Sequence, residues 1–177
     1  MIRITGGLNR SRKLNVPTNG LTKPTMDKVR AAVFNALNED IINKDVLDLF
    51  AGSGSYGLEA LSRGANKVTF VDKEKEAVEV IKNNVELLKE ENAKIVRDDV
   101  ISYLRNTKDK FDVIFVDPPY KLEVYEIVLD LLNKNGLLNK NAIIVLESER
   151  ELNIKEEDYK KVKLYNYGLA KIYILRK

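Results

Sequence analysis

The sequence predicts an α/β domain: a mostly parallel sheet with helices on both faces, closed by an antiparallel hairpin. Three observations carry this. Apolar runs alternate with segments of helical period from residue 44 onward, and a βαβα alternation is the pattern of a parallel sheet. The first of these runs leads into a glycine-rich turn, Ala51–Gly57. The last two, Val162–Tyr167 and Lys171–Leu175, are separated only by a turn at Gly168, which makes them an antiparallel pair.

In chain order, residues 1–24 form a basic N-terminal arm, expected as a β-hairpin, and residues 25–177 a single globular unit. Lys44–Phe50 reads as a buried strand, and a short helix through Leu58, Ala60 and Leu61 ends near Gly64. Lys67–Asp72 is the next strand. Ala77, Ile81, Asn84/Val85 and Leu88 then recur at helical spacing, with Lys and Glu on the other face. Lys94–Arg97 is a short strand and Val100–Leu104 begins a helix. Asp112–Asp117 is a strongly apolar strand stopped by Pro118-Pro119. Val124–Leu132 is helical up to Gly136, and Ala142–Leu146 is a strand.

Composition excludes several chemistries. The chain has 177 residues, 44% hydrophobic and 32% charged, enough to bury a core as one domain. Without Cys there is no disulfide, thiolate metal site or cysteine nucleophile; without His there is no imidazole base and no His-ligated metal. The longest purely apolar run, Ala142–Leu146, is too short to span a bilayer, and the start lacks a signal-peptide apolar region. A cytoplasmic monomer, free of metal and membrane, is expected. Charge is uneven: residues 1–30 carry seven bases against one acid, whereas the remainder has three more acids than bases. A basic arm on a mildly acidic body points to a polyanion at one edge, against the plain alternative of a solvated surface.

Two constellations carry chemistry. Gly52, Gly54 and Gly57 fit G-x-G-x-x-G directly after a strand and at the opening of a helix, where backbone N–H groups are free. Asp72 follows 20 residues after Gly52, placed to accept hydrogen bonds from ribose hydroxyls. Together they indicate an adenosine-bearing cofactor and leave NAD and S-adenosylmethionine both open. Asp117-Pro118-Pro119-Tyr120 follows the fourth parallel strand, on the same edge. Two prolines remove two donors, so the corner presents acceptors, the Asp117 carboxylate and the Pro118 carbonyl, beside a ring that can stack on a base. That arrangement suits an exocyclic amine of a nucleobase and favours S-adenosylmethionine.

At this point the residues resemble a known family. Asp48–Gly57, Asp72, Asp99 and Asp117–Tyr120 are similar to the S-adenosylmethionine-dependent amino-methyltransferases. Gly6-Gly7, Arg10–Leu14, Pro17, Thr22–Arg30 with Phe34-Asn35, and Leu58–Ala65 are similar to the bacterial enzymes that methylate a guanine N2 in small-subunit (16S) ribosomal RNA. The likeness covers essentially the whole chain. Ser11, Lys23, Lys28 and Ala31 depart from the family's usual Gly, Arg, Arg and Glu, and a Lys cannot make the bidentate phosphate contacts of an Arg.

The resemblance implies a Rossmann-like, mostly parallel seven-stranded sheet and S-adenosylmethionine as cofactor. It places Asp48, Phe50, Gly52 and Gly54 at the methionine part of the cofactor, Asp72 at its ribose, and Asp99 (its neighbour Asp98 being the alternative) with Val100 at the adenine. Asp117, Pro118 and Tyr120 are the expected catalytic set. The arm is expected to face RNA beside the active site, with Arg10, Arg12, Lys13, Lys23 and Arg30 as phosphate contacts, and ribosomal RNA within a small-subunit particle as partner. Thr22–Thr25 is alternatively a lid over the cofactor, with Thr25 capping a helix from Met26. The alternatives are an adenine-N6 methyltransferase on DNA or RNA, and a non-catalytic RNA-binding relative.

Overall fold

The computed structural model describes residues 2–18, 26–119 and 123–177. Nine strands and five α-helices are assigned there: β1 Ile2–Arg3, β2 Lys13–Leu14, α1 Met26–Leu37, β3 Asp45–Leu49, α2 Ser55–Ser62, β4 Lys67–Asp72, α3 Lys75–Leu88, β5 Ala93–Arg97, α4 Val100–Asn106, β6 Phe111–Val116, α5 Tyr125–Lys134, β7 Leu138–Ser148, β8 Lys161–Tyr167 and β9 Ala170–Arg176. Seven strands make one sheet in the order β5-β4-β3-β6-β7-β9-β8. β3 to β7 run parallel, and β9 pairs antiparallel with both β7 and β8. The expected mostly parallel sheet with a C-terminal antiparallel hairpin is therefore the observed one.

The central strands are apolar because both of their faces are covered. Side chains alternate along each strand, so Val46, Phe70, Phe115 and Val145 share one core with α1 and α2, whereas Leu47, Val71, Ile114 and Ile144 share another with α4 and α5. β7 is longer than its apolar run, because Leu138 already pairs with Phe111 before a register shift leads into the Val113↔Ile143 pairing. Strand order reverses between β3 and β6, and in open α/β sheets the crevice at the carboxyl ends there is where ligands bind.

The N-terminal arm does form a hairpin, β1 pairing with β2, but it is no loose extension. Ile2, Ile4 and Leu14 are buried in the core formed by α1 and α2. Gly7 packs so closely that an added Cβ would lie 1.8 Å from the Ser62 carbonyl oxygen. Glu59, fully buried on α2, gathers the arm and α1 together: it accepts from the Thr5 N–H (2.8 Å) and hydroxyl (2.7 Å), from Arg63 Nε (2.7 Å) and from Arg30 Nε (3.3 Å).

Candidate active site

Leu49 and Val116, the last residues of β3 and β6, are paired neighbours, so the glycine turn and the Asp117 corner start level with each other on adjacent strands. Leu49 is likewise level with Val71, and Asp72 with Arg97. One sheet edge therefore carries the glycine turn, Asp72, the Asp98-Asp99 corner and the Asp117 corner. The glycine turn and the Asp-Pro-Pro corner thus follow adjacent strands at the switch point, the place where ligands bind in open α/β sheets.

The glycine turn is held by backbone conformation and by carboxylates. Phe50 (φ 57°), Gly52 (φ 56°) and Gly54 (φ 75°) are all left-handed, a region that a bulky residue such as Phe50 enters only under outside constraint. That constraint is visible. The Gly52 N–H donates to Asp72 Oδ2 at 2.9 Å, the Ala51 N–H to the Val71 carbonyl at 3.2 Å, and the Gly57 N–H to Asp48 Oδ2 at 2.9 Å. A Cβ on Gly52 would meet only the Phe50 carbonyl, at 3.9 Å, so its surface is open. A Cβ on Gly57 would lie 2.2 Å from Phe70 Cε1, so this third glycine serves helix–strand packing.

The carboxylates divide their work. Burial pushes the Asp48 carboxyl up to about 8; the Gly57 N–H opposes that shift and the neighbouring Asp72 charge adds to it. Asp48 is therefore mostly protonated at neutral pH and fixes the start of α2. Asp72 takes one backbone N–H on each oxygen, from Gly52 and from Glu74, both at 2.9 Å, and each oxygen keeps a further lone pair. Asp99 is the N-cap of α4: its Oδ1 accepts from the Ile101 N–H (2.9 Å) and the Ser102 N–H (3.1 Å). Asp98 accepts from the Asp99 N–H (2.8 Å) and the Ser102 hydroxyl (3.4 Å). Val100 is the first helical residue, whose N–H has no intrahelical acceptor.

Around Asp117 lies a polar cluster that sequence reasoning did not single out. Tyr56, buried at the start of α2, stacks on Phe115 (centroids 4.9 Å, 24°) and donates its hydroxyl hydrogen to Glu147 Oε2 at 2.7 Å. The Tyr125 hydroxyl donates to the Glu147 carbonyl oxygen, also at 2.7 Å. Burial chiefly, and the Asp117 charge further, push the Tyr125 phenol up to about 12. The Tyr56 phenol is pushed up by burial, then by Glu147 and Asp117. Both rings therefore stay neutral donors within the field of Asp117. One signal for Glu147 was present in the sequence: an acid ending an apolar strand that runs parallel to β6. Pro118 is buried and Pro119 exposed; Tyr120 and Lys23 lie outside the described residues, as does the segment Thr22–Thr25.

The basic residues are placed differently from expectation. Arg30 is corrected outright. It lies on the core face of α1, 1% exposed, donating to Glu59, to Asp27 Oδ1 at 3.0 Å and to the Arg3 carbonyl, so it is an internal strut and not a phosphate contact. Arg10, Arg12 and Lys13 are exposed. However, the hairpin tip lies at the far edge of the sheet. Arg12 donates to the Leu87 carbonyl at the end of α3 (2.9 Å), Asn9 to Glu90 (2.7 Å), and the Leu8 N–H to the Ser62 carbonyl at the end of α2 (2.8 Å). Those helix ends sit at the amino ends of the strands, about 18 Å along α3 from its first turn. The chain then climbs α3, Asn15 pairing with Asn84 and Thr18 with Glu76. The expectation that Arg10 and Arg12 stand beside the active site is thus corrected: connection geometry, which charge counting does not contain, puts them opposite it.

The sequence matches, over residues 2–176, the family described as Conserved hypothetical protein 95. It is 41% identical over 150 residues to ribosomal RNA small subunit methyltransferase D of Escherichia coli K12, covering 85% of this chain and 76% of that protein. The namesake from Haemophilus influenzae is 40% identical, with 85% and 80% covered. Among solved structures, E. coli yhhF superposes with a TM-score of 0.86 at 35% identity, covering 99% of this chain and 97% of that one. The Thermus thermophilus 16S rRNA N2 G1207 methyltransferase, solved with AdoMet and guanosine, shares the fold (TM-score 0.72, 22% identity, 92% and 45% covered). With the glycine turn and the Asp-Pro-Pro corner following adjacent strands at the switch point, and with these relatives, the chain belongs to the ribosomal RNA small subunit methyltransferase D family.

Proposed function

We propose that this protein transfers a methyl group from S-adenosylmethionine to the N2 amine of a guanine in small-subunit ribosomal RNA, presented within a small-subunit particle. The observation that carries the reading is the pairing of Leu49 with Val116, which starts the glycine turn and the Asp117 corner level with each other on adjacent strands. It supports a cofactor cradle and a pair of acceptors lying within reach of each other.

The residues present fit that cofactor. Gly52 leaves open space where any other residue would put a Cβ, and Asp72 retains acceptor capacity on both oxygens for ribose hydroxyls. Asp99 or Asp98, with the Val100 N–H, borders the adenine end. When bound, the cofactor supplies a methyl carbon made electrophilic by a sulfonium leaving group, which needs no strong base or metal ion.

The chain's own contribution is positioning. The guanine amine is a poor nucleophile because its lone pair is delocalised into the ring. Its two hydrogens donate to the Asp117 carboxylate and the Pro118 carbonyl, which favours a pyramidal nitrogen and turns the lone pair toward the cofactor cradle. Tyr120 supplies a face on which an unstacked base can lie. Orientation of this kind is worth up to about 7–11 kcal/mol in ideal intramolecular reactions. As the nitrogen–carbon bond forms and the carbon–sulfur bond breaks, positive charge grows on nitrogen, and the Asp117 carboxylate stabilises it and takes the released proton. Glu147, Tyr56 and Tyr125 hold the floor beside Asp117 rigid.

The test is to incubate the protein with methyl-labelled S-adenosylmethionine and small subunits lacking the modification, then digest the RNA to nucleosides. Label in N2-methylguanosine is expected. Label in N6-methyladenosine would replace the substrate base, and no label in RNA would defeat the reading.

A further inference from the structure

β8 is the outermost strand of the sheet, and its two faces differ. Lys161, Lys163, Tyr165 and Tyr167 alternate onto the face shared with α1 and α2, since their partners on β9 are Arg176, Ile174, Ile172 and Ala170, and Ile172 and Ile174 belong to that core. Yet the helical layer stops short of β8. Tyr165 is half-buried, Tyr167 is 36% exposed, and Leu169 at the turn is 79% exposed. The two tyrosine rings lie nearly parallel, 12° apart in plane with centroids 6.4 Å apart. Lys171 and Arg176 are engaged by Glu151 and Asp40. Lys161 and Lys163 make no ion pair among the described residues.

The position of this stripe is informative. Val116 is level with Leu146, so Glu147 follows beside Asp117; Glu147 is paired with Ile172, and Ile172 with Tyr165. Asp117 and Tyr165 thus lie in one row across one face, three strand spacings or about 15 Å apart. Starting at Tyr167, just beyond that row, the stripe runs about 20 Å along β8, ring, ring, lysine, lysine, away from the catalytic edge.

We propose that this outer face of the C-terminal hairpin is a platform for single-stranded RNA, holding the substrate strand a few nucleotides from the target base. A base stacks on Tyr167 and Tyr165, and phosphates meet Lys163 and Lys161. Aromatic rings in line with uncommitted cations are how single strands are held without reading sequence, and the positive charge of Lys161 and Lys163 complements a polyanion. The proposal rests on the reading of the crevice as an RNA methylation site and adds where the rest of the strand lies.

Two readouts separate this proposal from that reading. In the subunit methylation assay, Tyr167→Ala raises KM for the particle about 10-fold, with kcat and cofactor affinity within about 2-fold, and Tyr167→Phe restores the wild-type KM. The double variant Lys161→Gln/Lys163→Gln lowers the salt dependence of binding by a log–log slope of about 1.4, the share of two phosphates on a single strand. Independently of turnover, fluorescence anisotropy follows binding of a labelled single-stranded RNA of about 12 nucleotides, which is weakened in Tyr167→Ala by a similar factor. Weakened binding with no wild-type methyl transfer defeats the methylation reading and supports the platform. Wild-type KM and wild-type oligonucleotide binding in Tyr167→Ala, or no oligonucleotide binding by the wild type together with an unchanged KM, overturn the platform.

Discussion

At the carboxyl ends of β3 and β6 the chain departs from local preference: Phe50 is left-handed, Asp48 is buried and raised to about 8, and Asp117 borders two buried tyrosines. At the amino ends, the hairpin tip satisfies helix ends in ordinary ways, Arg12 donating to the Leu87 carbonyl and the Leu8 N–H to Ser62. Left-handed non-glycine residues occur at the amino edge too, at Ser11 in the hairpin tip and Lys89 after α3, so backbone strain does not separate the two edges. The highest density of basic residues leads to one edge, whereas the groups with the most strongly shifted protonation, Asp48, Tyr56 and Tyr125, lie at the other. Shifted, buried titratable groups locate the chemistry better than a count of charges does.

The sharpest way to break this comparison is Asp117→Ala. Methyl transfer is expected to fall about 10²- to 10³-fold, with S-adenosylhomocysteine affinity by calorimetry within about 2-fold of wild type. Full retained transfer would remove Asp117 from the mechanism. Next is Asp48→Asn. The native carboxyl holds its proton up to about pH 8, whereas the unfolded one releases it near 3.9, so the native state binds more protons between these values. Asp48 therefore contributes stability in full below about pH 4, and that contribution declines as pH rises toward 8. Urea unfolding at several pH values should show a decline of a few kcal/mol in the wild type, and a flatter profile in Asp48→Asn.

Two glycines, one at each edge, sharpen the contrast. Gly57→Ala puts a methyl 2.2 Å from Phe70 Cε1, and Gly7→Ala puts one 1.8 Å from the Ser62 carbonyl oxygen at φ +76°. Each should lower stability by about 1–3 kcal/mol in denaturant titrations. Gly57→Ala should weaken cofactor binding more than Gly7→Ala does, because Gly57 lies in the first turn of α2, next to the glycine turn, whereas Gly7 meets the last. The smallest effect is expected of Arg10→Gln/Arg12→Gln, with KM for the subunit within about 2-fold of wild type. A 10-fold rise would mean that RNA wraps from one edge of the sheet to the other.

Much of the fold was legible because buried parallel strands leave continuous apolar runs, as in Asp112–Asp117. β7 was legible only from Ala142, since its first residues, Leu138-Asn139-Lys140-Asn141, are mostly polar and enter the sheet through an irregular register. In the site, the glycines, Asp72 and the Asp117 corner were readable because each sits just after a strand, where topology alone fixes the edge. The pairing of Tyr56 with Glu147 was not readable, since their hydrogen bond joins residues 91 positions apart. Arg30 was misread because a count of charges does not include the partner that neutralises one, here Glu59. The hairpin tip was misread for a related reason: nearness in sequence to α1 says nothing of which end of α3 receives it.

The outermost position of β8 has a consequence for handling the protein. The free side of its backbone offers amide and carbonyl groups to any second strand that approaches, the usual template for aggregation. Lysines at 161 and 163 set like charges face to face whenever two copies try to join there. Variants bearing apolar, β-branched residues at both positions are therefore expected to form edge-to-edge assemblies at high concentration while each subunit keeps its native melting temperature, which light scattering and thermal unfolding together would register.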